Sequence, residues 1–327
     1  MLKSPSRAEH TADRRPLRKL DWKRALGVDR LRLPGAPRRP EQLLLRRLRR
    51  QDFGRGPVAV ERISGGISNH NFAVRTEGGA YFARLCQERP LLGIDRRNEV
   101  ACHQAASSLG IAPEVIHHED GLLISRLVAG TTLTAADLRE QSMMARLAAL
   151  LGQLHRAWDA LSGEVLYFCP FQTVRTYART AQHLKAGLPR DLAELLEDSR
   201  QLSRRIAPFR PVLCHNDLLP ANLIDDGRRL WLVDWEYAGA GHPLFDLANA
   251  SANAAFSAEQ DHTLLEAYRG RLEPTDLAEL RIFKAVSLLR ESLWATIQSV
   301  TSNIDFDYER YAAENLQAYR ETRGRLE

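Results

Sequence analysis

Cysteine is nearly absent from this chain: the 327 residues hold four, Cys86, Cys102, Cys169 and Cys214, none in a Cys-x-x-Cys pair. That spacing excludes a disulfide-stapled scaffold and a cysteine-built zinc site, and it fits a reducing compartment. Long hydrophobic runs are missing too. No stretch approaches the ~20 uninterrupted apolar residues of a membrane span, and the arginine-rich start lacks the apolar centre of an export signal. A cytoplasmic location without stable membrane insertion is expected. Internal repeats are also lacking, which excludes solenoids and propellers.

What is present is an ordinary globular composition, 44% hydrophobic and 27% charged, sufficient for a sizeable core in about two lobes. The formal net charge of +5 invites a nucleic-acid reading, but the charge is unevenly spread. Residues 1 to 56 carry 17 Lys and Arg against 6 Asp and Glu, which leaves 29 against 35 for the rest. An acidic body attracts a cationic small molecule or a metal ion rather than a phosphate backbone, so no nucleic-acid partner is expected.

Residues 1–40 are rich in Arg and Pro, including Pro34, Pro37 and Pro40, and show no apolar period. They read as a basic, disordered extension, with an arm that touches anionic lipid or nucleic acid as the alternative. Leu43, Leu44, Leu45 and Leu48 among arginines predict a short amphipathic helix over 41–50. Turn residues at Gly65-Gly66 and Gly78-Gly79 separate strands at 58–63, 72–75 and 81–85, and Asp95 is placed to cap a helix that ends near Gly110. A further strand at 122–127 closes a small antiparallel lobe, 41–127. The remainder, 128–327, reads mainly helical, with Leu147, Leu150, Leu151, Leu154 and Trp158 at helical spacing and further helices near 172–186, 190–205, 260–270 and 275–300. One hairpin interrupts it, where Leu223-Ile224 and Leu230 to Val233 flank Asp225-Asp226-Gly227.

The chemistry concentrates around that hairpin. Cys214-His215-Asn216-Asp217-Leu218-Leu219-Pro220-Ala221-Asn222 precedes it and Val233-Asp234-Trp235-Glu236-Tyr237 follows it. The hairpin returns Asn222 and Asp234 to each other at its open end, and an amide oxygen beside a carboxylate is a hard-oxygen pair suited to Mg²⁺. Asp217, five residues before Asn222, is a separate carboxylate that can orient or deprotonate a hydroxyl. His155 and His242 read as hydrogen-bonded structural histidines, and Met143 and Met144 as packing.

The pattern His-x-Asp-x-x-x-x-Asn followed by Asp resembles the protein-kinase-like small-molecule phosphotransferases, the group of choline, ethanolamine, thiamine and aminoglycoside kinases. Asn216-Asp217-Leu218-Leu219-Pro220, Asp234-Trp235-Glu236-Tyr237-Ala238-Gly239 and Phe245-Asp246-Leu247-Ala248-Asn249 look like the choline/ethanolamine kinase branch. The resemblance covers roughly 60–320. It implies a two-lobed α+β protein-kinase-like fold, with a small antiparallel-sheet N-lobe that binds nucleotide and a larger, mainly helical C-lobe. The implied reaction is transfer of the ATP γ-phosphoryl group to the hydroxyl of a small amino or ammonium alcohol, choline or ethanolamine, with ATP and Mg²⁺ as cofactors. A thiamine or aminoglycoside kinase of the same fold is the alternative, and a non-catalytic nucleotide-binding protein the alternative of another class. Homodimerisation is left open.

By the same resemblance Asp217 is the catalytic base, Asn222 and Asp234 hold the metal, and His215 and Asp246 support the loop. Ser64, Gly65, Gly66, Ser68 and Asn69 form a phosphate-approaching loop, although a Gly-Gly pair between strands is by itself only a hairpin signal. Arg84 would contact the ATP phosphates and pair with Glu99, and Ser125 to Val128, with Ser125 and Leu127 as the contacts, would be the adenine hinge. Near the C-terminus Glu291 and Trp294 share a helical face. With Phe306 and Tyr311, and with Glu236 and Tyr237 after the hairpin, they are the expected substrate contacts, an aromatic wall and carboxylates around an ammonium head. Core packing of those aromatics is the alternative. Glu291 stands where choline kinases carry a second tryptophan, and Asn253 where they carry a glutamate.

Overall fold

The computed structural model describes residues 40–51, 56–63, 69–86, 89–161 and 164–326. The basic extension before Pro40, and Ser64, Gly65, Gly66 and Ser68 of the glycine-rich segment, lie outside the described residues. The N-lobe is an antiparallel sheet of β1 (Ala59–Ile63), β2 (His70–Thr76), β3 (Gly79–Leu85), β4 (Val115–Glu119) and β5 (Leu122–Arg126), in the order β1-β2-β3-β5-β4. Helix α1 (Pro40–Leu48) covers one sheet face. Leu44 and Leu48 pack there against Phe72, Val74, Tyr81, Ala83, Leu122 and Ile124, the alternate residues of β2, β3 and β5. Each fully buried leucine contributes about 1.5–3 kcal/mol, so the leucines spaced four apart among arginines dock this helix.

Arg84, next to Ala83, therefore belongs to the opposite face, toward α2 (Arg96–Ser108). The Asp95 side chain caps α2 by accepting from the Arg97 and Asn98 N–H groups at 2.9 Å, as its position before the helix predicted. Strand β4 was not anticipated. It is an edge strand with a register shift between Val115 and His117, and an edge needs no regular apolar alternation.

The C-lobe begins with β6 (Thr131–Thr132), α3 (Ala135–Leu138), α4 (Gln141–His155), α5 (Pro170–His183) and α6 (Leu192–Ser203). Then come β7 (Val212–Cys214), the hairpin β8 (Leu223–Asp225) and β9 (Leu230–Leu232), and β10 (Gly239–Gly241). Helices α7 (Pro243–Asn253), α8 (Ala258–Arg269), α9 (Asp276–Thr301) and α10 (Tyr308–Gly324) complete it. The expected helices are present, with ends shifted by a few residues. Helix α7 escaped the periodicity because it is apolar on nearly all sides, with Leu244, Phe245, Leu247, Ala248 and Ala250 all fully buried. Helix α9 runs through the middle of the lobe and is buried almost continuously from Leu280 to Gln298.

The hairpin turns where Asp225-Asp226-Gly227 predicted: Asp226 accepts from the Arg228 and Arg229 N–H groups at 2.8 Å, and Gly227 takes a φ of 85°. Strand β10 pairs with β7, and the segment before α5 lies across β10 through the bonds Phe168 N–H to Ala240 O and Ala240 N–H to Leu166 O, both 2.8 Å. A Cβ on Gly239 would sit 2.5 Å from Leu166 O, so that crossing requires glycine. Among the described residues no helix is long and apolar enough to cross a membrane.

Candidate active site

One face of α7 fixes the loop that follows β7. The His215 and Asn216 N–H groups donate to the two carboxylate oxygens of Asp246, at 2.8 and 2.7 Å, and His155 Nε2 lies 3.1 Å from the same side chain. One turn on, Asn249 accepts from the Leu218 N–H and donates to Ser287 Oγ at 2.8 Å. Another turn on, Asn253 Nδ2 donates to Leu218 O at 3.3 Å. The spacing 246, 249, 253 sets these three polar side chains in one row on an otherwise apolar helix. His215 bonds Val233 O at 3.0 Å and stands edge-on to Trp235 at 4.8 Å. Burial lowers its pKa to about 4, so the ring packs as a neutral imidazole.

Asn216 has a φ of 65°, a left-handed conformation that asparagine tolerates, and its Nδ2 donates to Tyr237 O at 3.0 Å. The short turn Pro220–Asn222 then folds Asn222 back, so that its Nδ2 donates to Asp217 O at 2.8 Å and its Oδ1 is the remaining polar end. The Val233 N–H donates to Asn222 O at 3.0 Å, which closes the hairpin mouth and sets Asp234 next to that pair. The Asp234 side chain keeps 30% exposure, and its Oδ1 accepts from Arg84 Nη1 at 2.5 Å.

Arg84, almost wholly buried, also pairs with Glu99 of α2. Arg96 donates to Glu99 at 2.7 Å and to Glu236 at 3.1 Å, and Asn69 Nδ2 donates to Glu236 Oε2 at 3.0 Å. A chain of alternating charge, Asp234–Arg84–Glu99–Arg96–Glu236, thus joins the sheet lobe to the hairpin. Glu236, expected among the substrate contacts, commits Oε2 to this chain. At the expected hinge Ser125 is buried, and the Leu127 N–H is spent on Ala80 O at 3.1 Å, so Leu127 offers a carbonyl but no free donor.

The C-terminal wall differs from the sequence expectation because of a residue that the sequence reading passed over. Arg290 is 2% exposed; its Nη2 donates to Asp217 Oδ1 at 3.0 Å and to Glu291 Oε2 at 2.9 Å, and its Nη1 to Asn216 O at 3.2 Å. Its guanidinium lies 5.3 Å from the Tyr237 ring centre and 5.9 Å from that of Phe168. The Tyr311 hydroxyl donates to Glu291 Oε1 at 3.1 Å. Trp294 is 5% exposed, donates to the Tyr237 hydroxyl at 2.9 Å and meets Tyr308 edge-on at 6.0 Å, while Phe306 packs edge-on against Tyr308 and Tyr311. Both Glu291 oxygens are therefore engaged within the protein. The signal that could have revealed Arg290 was its place inside an apolar helical run, since an arginine is almost never buried without acidic partners. Burial raises the Asp217 carboxyl well above the usual carboxylate range, Arg290 opposes that, and Glu291 and Asp234 add to it.

Fold and site together define a small-molecule kinase of protein-kinase-like architecture. The chain belongs to the phosphotransferase enzyme family (APH), whose model matches residues 59–283. Ethanolamine kinase 2 of Homo sapiens is 28% identical over 320 residues, which cover 88% of this chain and 80% of that protein. Among solved structures, a choline/ethanolamine kinase family protein from Mesorhizobium loti superposes with a TM-score of 0.71 at 27% identity, covering 86% of this chain and 94% of its own. LicA in complex with AMP superposes with a TM-score of 0.73 at 21% identity, covering 89% of this chain and all of its own.

Proposed function

We propose that the chain transfers the γ-phosphoryl group of ATP to the hydroxyl of a small amino or ammonium alcohol, of the choline or ethanolamine kind. The observation that carries this reading is the convergence of the Asp217 carboxylate, the Asn222 amide oxygen and the partly open Asp234 carboxylate at one hairpin mouth, with Arg84 bridging Asp234 to Glu99. Residues 41–127 serve as the nucleotide lobe and 128–327 as the catalytic and acceptor lobe. Arg84 and Asn69 face the phosphates, and the adenine is met by hinge backbone beyond Leu127, whose own N–H is spent.

The donor set fits a hard cation: two oxygen ligands of different elements, one partly solvent-open and one with its amide nitrogen turned to a backbone carbonyl. Mg²⁺ held by Asn222 and Asp234 would neutralise charge on the transferred group. Asp217 orients the acceptor hydroxyl and takes its proton. The hydroxyl oxygen bonds the γ-phosphorus as that phosphorus parts from the bridging oxygen, which leaves with ADP. Asp246 keeps Asp217 in place by holding the two preceding N–H groups, and positioning of this kind supplies the rate. The relatives named for ethanolamine and choline support the acceptor class. An assay of ADP release with choline, ethanolamine, thiamine and an aminoglycoside tests it. Release that depends on choline or ethanolamine is expected; release with the other two alone reassigns the acceptor, and release with none refutes the reading.

A further inference from the structure

A cavity of about 540 Å³ lies between the end of α4, the segment that enters β7 and the end of α8, and none of Asp217, Asn222 and Asp234 lines it. Its volume is within the roughly 300–1,000 Å³ of small-molecule sites. Three arginines line it, Arg156, Arg210 and Arg269, against one carboxylate, Glu279. That carboxylate is engaged by the fold: Oε1 accepts from the Ala207 N–H at 2.8 Å, and Oε2 stands 3.9 Å from His242 Nε2. Arg269 has a loose partner in Asp276 at 3.5 Å. Arg156 and Arg210 are exposed and make no ion pair or side-chain hydrogen bond among the described residues. Three cations against one engaged carboxylate give the cavity a positive potential, and guanidinium forks match phosphate oxygens.

The remaining walls offer rings and one hydroxyl. Phe209 lies over the His242 ring at 4.1 Å between centres and keeps 37% exposure. The Tyr268 hydroxyl lies 2.7 Å from His155 Nδ1. Burial pushes that hydroxyl up to about 12, against the nearby Arg269 and Arg156 charges, so it keeps its proton and can donate. Asp246 only accepts, so His155 Nε2 carries the proton of their 3.1 Å contact, and in the neutral ring Nδ1 accepts from Tyr268. A row of hydrogen bonds thus runs from the cavity wall through Tyr268, His155 and Asp246 to the His215 and Asn216 N–H groups, which immediately precede Asp217.

We propose that this cavity is a second ligand site, separate from the phosphotransfer site, for a small phosphate monoester: Arg156, Arg210 and Arg269 hold the phosphate, and the Phe209 and Tyr268 rings receive its apolar body. A phosphate oxygen that accepts from the Tyr268 hydroxyl takes that hydrogen bond from His155, so occupancy bears on the Asp246 brace of the catalytic loop. Calorimetric titration of the full chain with phenyl phosphate tests the site without reference to activity. The double variant Arg156→Glu, Arg210→Glu should weaken binding at least about tenfold, since each arginine supplies charge-assisted bonds to the anion. Ala207→Trp, which fills the cavity from an exposed position, should weaken it as much while the urea midpoint stays that of the parent. Inorganic phosphate, with no body to lay on the rings, should bind about two- to fivefold more weakly than phenyl phosphate; equal affinity overturns the monoester. Binding that survives both variants, or that MgATP displaces, puts the anion at the nucleotide site and overturns the proposal. A parent that binds neither probe overturns it too, and Arg210-dependent sedimentation with vesicles of equal parts phosphatidylcholine and phosphatidylserine would then make the arginines a lipid-facing patch. Saturating phenyl phosphate should lower kcat for ADP release about twofold or more with KM for ATP unchanged; binding with unaltered kcat refutes the link to the loop. The expected binding pattern without ADP release for any alcohol upholds the cavity and refutes the phosphotransfer reading.

Discussion

Replacing Asp246 is the sharpest test of how the fold holds the reacting group. The side chain is fully buried, and each of its oxygens accepts one main-chain N–H, from His215 and from Asn216, with His155 beside them. A hydrogen bond to a charged acceptor contributes about 1.5–3 kcal/mol, so Asp246→Ala, which strands both donors, should cost about 3–6 kcal/mol. Against a typical stability of about 5–15 kcal/mol that leaves a folded but weakened protein. The informative variant is Asp246→Asn. An amide has one acceptor end, so either orientation points an NH₂ group at a backbone N–H, and a loss of about 2–4 kcal/mol is expected despite the matched shape. Because the two donors immediately precede Asp217, kcat should fall by about 100-fold or more as the carboxylate shifts. Urea unfolding monitored by tryptophan fluorescence measures the first effect and steady-state ADP release the second. If Asp246→Asn unfolds within about 0.5 kcal/mol of the parent and turns over within about twofold of it, the bracing role is refuted.

Asp217→Asn should abolish turnover while ATP affinity stays near that of the parent, since the proposed base does not touch nucleotide; near-normal kcat would refute its role. Asn222→Ala and Asp234→Ala should each raise the Mg²⁺ concentration needed for half-maximal rate, read from a metal titration, and an unchanged titration in both would contradict the metal assignment. Stability should fall on acidification. Burial lowers the pKa of His103 and His215 to about 4 and of His242 to about 3, while the unfolded chain titrates near 6.5. Between those values the unfolded state binds more protons, so each histidine removes about 1.4 kcal/mol per pH unit as pH drops from about 6.5 toward 4, with the effect absent above 7. A urea midpoint that does not move between pH 7 and pH 5 would show that these rings are not buried as neutral bases.

Local pattern made much of this protein readable. The turn at Asp225-Asp226-Gly227 needs a capping carboxylate and a left-handed glycine, and both are adjacent in the sequence. The α1 leucines, the Asp95 cap and the spacing Asp217, Asn222, Asp234 are likewise short-range features, because a hairpin or a helical turn converts fixed spacing into fixed proximity. The tertiary structure decided what spacing cannot encode. Helix α7 is buried on nearly all sides, so no amphipathic period betrayed it, and only its place at the centre of the lobe gives Asp246, Asn249 and Asn253 a loop to hold. Glu236 reads as one more carboxylate near the substrate until Arg96, 140 residues earlier, is found bonded to it. Arg290 sits 73 residues from Asp217, on a helix whose rotation alone turns its guanidinium toward Asp217, Tyr237 and Phe168. Cation–carboxylate and cation–ring contacts between distant elements depend on how helices and strands pack, and a single sequence specifies that packing only through the whole fold.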